Sequence, residues 1–107
     1  MTDQKRLGQL AEIARLLSDR KLEELRRQRE LRAGIIARIA ALEERPAEGL
    51  DPVAAARAAL AYQAWADGRR SELGRQLAAQ ESRCEESRMA AQTAFGRATI
   101  LDRLSRR

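Results

Sequence analysis

The side chains that ordinarily carry out chemistry are nearly missing from this sequence. It contains no histidine, which removes the commonest general base and the commonest metal ligand. Its one cysteine, Cys84, has no histidine with which to form a nucleophilic dyad or a zinc site. Carboxylates do stand in pairs, at Glu23-Glu24, Glu43-Glu44 and Glu85-Glu86. Paired carboxylates can act as general acid and base, but adjacent helical positions point apart and solvated helix faces produce such pairs routinely. The six glycines are scattered singly, so a glycine-rich phosphate loop is missing as well. The expectation is a chain with no catalytic residues, no cofactor and no metal, which is not an enzyme.

What remains is chemistry of contact. Tyr62 and Trp65 lie three apart in the charge-free run from Ala58 to Ala66, in a sequence with three aromatic residues altogether. They read either as a local aromatic cap on the fold or as a partner anchor, since Trp and Tyr dominate binding hot spots. Arg97, Arg103, Arg106 and Arg107 stand against a single acid, Asp102, in the last eleven residues. They read as a solvated helix end that complements the helix dipole, or as a contact with an acidic socket or phosphates. Cys84 reads as a small buried hydrophobe.

The elements that must position these groups are helical. Ala and Leu supply most of the apolar residues, and charged residues make up 35% of the chain. Such a composition with helical periodicity marks a coiled coil. Prolines occur only at 46 and 52. The residue before a proline avoids the α conformation, so a first helix over about 3–45 should stop near Arg45. Asp51-Pro52 then restarts it, Asp as N-cap and Pro in the first turn. A second helix over about 52–105 follows the connection at 46–51.

Along the first helix Leu7, Leu10, Ala14, Leu17, Leu25, Ile35, Ile39 and Leu42 recur mainly by threes and fours. Along the second the steps alternate four and three through Leu73, Leu77, Gln80, Cys84, Ser87, Ala91, Ala94, Ala98 and Leu101. These are coiled-coil stripes, interrupted by Lys21, Gln28 and Arg32 and weakened by Gly68 and Gly74. A short connection makes two such helices antiparallel neighbours. The expected fold class is therefore all-α, a two-helix antiparallel coiled-coil hairpin, as one domain spanning 1–107, with three quarters or more of the chain helical. Folding it at the connection pairs residues whose numbers sum to roughly 97. That register sets Ile39 near Ala58, Leu17 against Gln80 and Leu10 against Ser87, and leaves Arg97 to Arg107 as a basic overhang. A two-helix hairpin buries little per residue, so pairing with a partner is expected to contribute to its stability.

The formal net charge is +5, made of 19 Arg and 2 Lys against 16 acids. Both signs are interspersed, as on a solvated coiled-coil surface, so nucleic acid is a possible but less favoured partner. A single cysteine fits a reducing compartment. No apolar stretch opens the chain as a secretory signal would, and none approaches the ~20 residues of a bilayer span. A cytoplasmic location is expected.

In this pattern the chain resembles the FliJ/YscO family, stalk proteins of flagellar and virulence type III export machines. The resemblance rests on two long helices with the second longer, on Tyr62-Gln63-Ala64-Trp65 opening the second helix, and on the closing stretch Ala94-Phe95-Gly96-Arg97-Ala98-Thr99-Ile100-Leu101-Asp102-Arg103-Leu104. It covers most of the chain and departs from the family at Asp67-Gly68-Arg69-Arg70. The resemblance implies a non-catalytic stalk bridging the hexameric export ATPase and the membrane export gate protein, FlhA in flagella, peripheral to a membrane export complex. It implies that Phe95, Arg97, Arg103, Arg106 and Arg107 contact the ATPase and that Tyr62 and Trp65 contact the gate. A stiff rod of ~60–80 Å by helix rise suits that task. Two rivals stand beside it: a basic coiled-coil arm that grips nucleic acid, and a generic coiled-coil adaptor or chaperone whose hairpin forms a homodimeric helical bundle.

Overall fold

The computed structural model describes residues 2–43 and 49–107. It contains two helices, α1 (Asp3–Ala40) and α2 (Pro52–Ser105), and is 91% helical with no strand among the described residues. The helices pack on one another as an antiparallel hairpin. The second helix has the bounds expected of it, whereas the first stops at Ala40 rather than near Arg45. The stop anticipated at Arg45-Pro46 lies outside the described residues.

Local chemistry accounts for each end. Thr2 caps α1, its Oγ1 accepting from the Lys5 N–H at 3.2 Å. Asp51 caps α2 as anticipated, its Oδ1 accepting from the Ala54 N–H at 2.8 Å, with Pro52 in the first turn where its missing N–H is harmless. Gly49 precedes them with φ of 80°, a left-handed conformation that glycine adopts without a Cβ penalty. At the end of α1 the chain tightens, Leu42 and Glu43 bonding back to Ile39 and Ala40. Those bonds satisfy carbonyls that a helix end would otherwise leave open.

Contacts divide the hairpin into two compact units, one holding α1 up to Glu30 with Glu81–Arg107 and the other Leu31–Gln80. In the first unit Ala11, Ser18, Leu25 and Ala91 are buried, flanked by half-buried Leu7, Ala14, Cys84, Ser87, Ala94, Ala98 and Leu101. In the second, Leu42, Ala66, Leu73 and Gln80 are buried, Ala66 completely, beside half-buried Ile35, Ile39 and Leu77. The stripe anticipated on the second helix from Leu73 to Leu101 therefore faces inward throughout. No buried side-chain polar atom lacks a partner among the described residues.

The stripe on the first helix differs at two positions. Leu10 and Leu17 are each 50% exposed, and the seam passes instead through Ala11 and Ser18. Small residues face small residues there, Ala91, Ala94 and Ala98 lining α2, and a seam of such residues suits alanine and serine better than leucine. The register also differs from the expected one. Gln4 Nε2 donates to the carbonyls of Leu104 and Ser105. Leu17 lines a groove with Met89 and Ala90 rather than meeting Gln80, and Leu42 bonds to Tyr62 and Arg70. The pairing is displaced by about ten residues along α2, some three turns. Equal rise on both arms does not hold, because α1 ends at Ala40 whereas α2 runs 54 residues from Pro52.

The displacement removes the basic overhang. The first turn of α1 lies level with the last turn of α2, and the surplus length of α2 falls on the side of the connection. There Pro52 to Tyr62 runs on past the last turn of α1, with Val53 and Leu60 63% and 71% exposed.

Gly74 lies inside α2, and a Cβ built there meets nothing within 4 Å. Gly74→Ala should therefore raise stability by about 0.5–1 kcal/mol, the helix-propensity difference. Urea unfolding followed by circular dichroism checks this, and a loss of stability would mean that the backbone there is not plain helix.

Candidate functional site

Tyr62 and Trp65 form one cluster, their ring centroids 5.7 Å apart and tilted by 43°. The pair divides its work. Tyr62 is half-buried, and its hydroxyl donates to the Leu42 carbonyl at 3.2 Å. Arg70 Nη2 donates to the same oxygen at 3.0 Å. A guanidinium at a helix C-terminus meets the negative end of the helix dipole as well as an open carbonyl, so Tyr62 and Arg70 clasp the end of α1. Trp65, by contrast, is 58% exposed and presents its indole to solvent beside the clasp.

The other site residues fall in the first unit and do not form one patch. Phe95, 62% exposed, lines a groove on one side of the helix pair with Leu22, Ala98 and Thr99. Arg97 lines a groove on the other side with Leu17, Lys21 and Met89. Arg103 and Arg107 are exposed, and Arg106 pairs with Asp102 at 3.2 Å. These arginines stand on a supported helix end rather than on a free arm, since Gln4 holds the last carbonyls of α2.

Surface ion pairs follow helical spacing: Arg15 with Glu12, Arg26 with Glu23, Arg27 with Glu24, Arg69 with Glu72, Arg70 with Asp67 and Arg88 with Glu85. Each is exposed, so solvent screening and side-chain entropy leave it little net contribution to stability. The hydrogen bond from Arg88 holds the Glu85 carboxyl below its ordinary range and raises the guanidinium in turn. A hydrogen bond from Gln28 does the same to Glu24, aided by Arg27. Their contribution is present above the ordinary carboxylate pKa and lost as pH falls through the depressed values.

One feature of the surface was not anticipated. Leu10, Leu17, Met89 and Ile100 are all at least half exposed; Leu17 and Met89 line the groove on the Arg97 side, and Leu10 and Ile100 share their helix faces at spacings of seven and eleven. The signal lay in the strict alternation of four and three from Leu7, which reaches Ala11, Ala14 and Ser18 and turns Leu10 and Leu17 outward. Among the described residues no group of three or more His, Cys, Asp or Glu could hold a metal, and no helix is long and apolar enough to cross a membrane. No protein-family model matches the chain, and no curated protein or solved structure shows significant similarity to it.

Proposed function

We propose that the chain is a non-catalytic coiled-coil stalk of a type III protein export apparatus, flagellar or virulence-associated, joining the export ATPase to the export gate. The observation that carries this reading is the level pairing of the first turn of α1 with the last turn of α2, which presents exposed Arg103 and Arg107 on a braced two-helix end. Such an end suits insertion into an acidic socket at the centre of a ring, where guanidinium–carboxylate bonds are among the stronger polar contacts. Trp65, exposed beside the Tyr62 clasp, suits the second contact, with the gate. The resemblance of Tyr62-Gln63-Ala64-Trp65 and of the closing stretch to the FliJ/YscO family supports the same assignment.

Deleting Asp102 to Arg107 is a poor test, because it also removes the half-buried Leu104 and the acceptors of Gln4. Replacing Arg103, Arg106 and Arg107 together by Gln keeps the backbone and the packing. That variant should remain as helical as the parent yet lose about tenfold or more in co-purification with a hexameric export ATPase, from the loss of two or three charged contacts. Undiminished ATPase association, together with lost salt-dependent RNA binding, would favour the nucleic-acid arm instead.

A further inference from the structure

The two grooves flanking the first unit carry opposite charge. The groove on the Phe95 side is lined by Glu12, Asp19 and Asp102 with one cation, Arg15. Its cations are engaged, Arg15 by Glu12 and the neighbouring Arg106 by Asp102. The groove on the other side has an open volume of about 360 Å³. Its only charged lining residues are Lys21 and Arg97, on a floor of Ala14, Ala90 and Ala94 between Leu17 and Met89. Among the described residues neither cation makes an ion pair. Arg6 and Arg20, fourteen residues apart on α1, flank the same side, and among the described residues neither makes an ion pair. Past Lys21 the basic stretch stops at Glu24, which is held by Gln28 and Arg27 and also feels the charge of Lys21. From Arg6 to Lys21 the face runs about 22 Å, four turns of helix.

We propose that this groove is the docking site for an acidic amphipathic helix of a partner protein, which would pack apolar side chains onto Leu10, Leu17, Met89 and Ile100 and set carboxylates against Lys21 and Arg97. Three features select that occupant. Apolar side chains half exposed along two adjacent helices are the surface a third helix covers when it inserts residues at spacings of three, four and seven. The rim is cationic, Arg97 standing without an ion pair among the described residues and Lys21 with only Glu24 nearby, so the complementary partner is anionic. The site is concave, and helix side chains fill a furrow that a flat bilayer surface would bridge over. The inference rests on the chain acting by holding partners and does not depend on the export assignment.

The test uses the full chain and two fluorescein-labelled synthetic helices of about eighteen residues, each with leucine on one face. One carries Glu along the flanks of that face and the other carries Lys. The Glu peptide should bind saturably, about tenfold or more tighter than the Lys peptide, and weaken as salt rises. Leu17→Gln with Met89→Gln should abolish most of that binding without loss of helicity, because both side chains are largely exposed. Lys21→Glu with Arg97→Glu, which leaves the apolar floor untouched, should reverse the preference between the peptides. Leu22→Gln with Phe95→Gln, in the opposite groove, should change binding less than about twofold. Equal binding of the two peptides, or a Glu peptide indifferent to the groove variants, would overturn the proposal. So would groove-dependent pelleting with phosphatidylglycerol-containing vesicles, or groove-dependent self-association in sedimentation, in the absence of Glu-peptide binding. Failure here alongside intact ATPase association would leave the stalk reading standing.

Discussion

Replacing Leu73 by Asp should unfold the hairpin, whereas the same change at Leu17 should leave it helical. Leu73 is the one large side chain that is fully buried among the described residues, 1% exposed, against 50% for Leu17. Truncating such a leucine to Ala typically costs about 2–5 kcal/mol, and a carboxylate left unpaired in its place adds a desolvation penalty. Small domains hold only about 5–15 kcal/mol in total, and a hairpin with little buried surface per residue belongs at the low end. Leu73→Asp therefore removes most or all of the stability. Leu17→Asp should cost less than about 1 kcal/mol, as exposed substitutions generally do. Thermal unfolding followed by circular dichroism separates the two. Equal losses would mean that Leu17 faces inward after all.

On the stalk proposal, Trp65→Ala should weaken binding to the export gate by about 2 kcal/mol or more, some thirtyfold, while melting within a few degrees of the parent. An indole 58% exposed contributes little to the fold of this chain, but its large apolar face is available to a partner. Tyr62→Ala is the internal contrast. It removes the hydroxyl that caps Leu42 and should lower the melting temperature through loss of about 1 kcal/mol. A large thermal loss at Trp65 would make it a structural cap and remove the anchor from the stalk reading. The measurement is titration of the isolated cytoplasmic part of an export gate with the parent and both variants.

How much of this was legible before the fold was seen depends on the helix. The inward face of α2 was readable from Leu73 to Leu101 because its four-three alternation is unbroken and mostly apolar. Asp51-Pro52 marked its start, since the cap and the proline act through backbone chemistry alone. On α1 the larger side chains misled: Leu10 and Leu17 attract notice, yet the seam opposite Ala91, Ala94 and Ala98 admits only Ala11, Ala14 and Ser18. Hydrophobicity ranked the candidates, and steric closeness chose among them. The register was not legible, because a periodic stripe pairs almost equally well when slid by one or more heptads. What fixes it are polar bonds that periodicity does not encode, Gln4 to the end of α2 and Tyr62 with Arg70 to the end of α1. The clasp explains why Arg70 follows the aromatic pair. The charge difference between the two grooves became visible only once Lys21 and Arg97 were placed on one side.

Every surface assigned here follows from which residues the pairing brings together, so the most direct measurement is a disulfide test of register. In a Cys84→Ser background, Ala14→Cys with Ala94→Cys places two thiols in the seam of the first unit, on residues that line one groove. Leu10→Cys with Ser87→Cys places them where a symmetric fold about the connection would bring them together. Disulfides form only when the Cα atoms lie within about 7 Å. Under mild oxidation the first pair should close within one chain to near completion, with helicity unchanged, and the second should stay reduced. Closure of the Leu10–Ser87 pair in place of the Ala14–Ala94 pair would contradict the register, and with it the outward faces on which the binding surfaces rest.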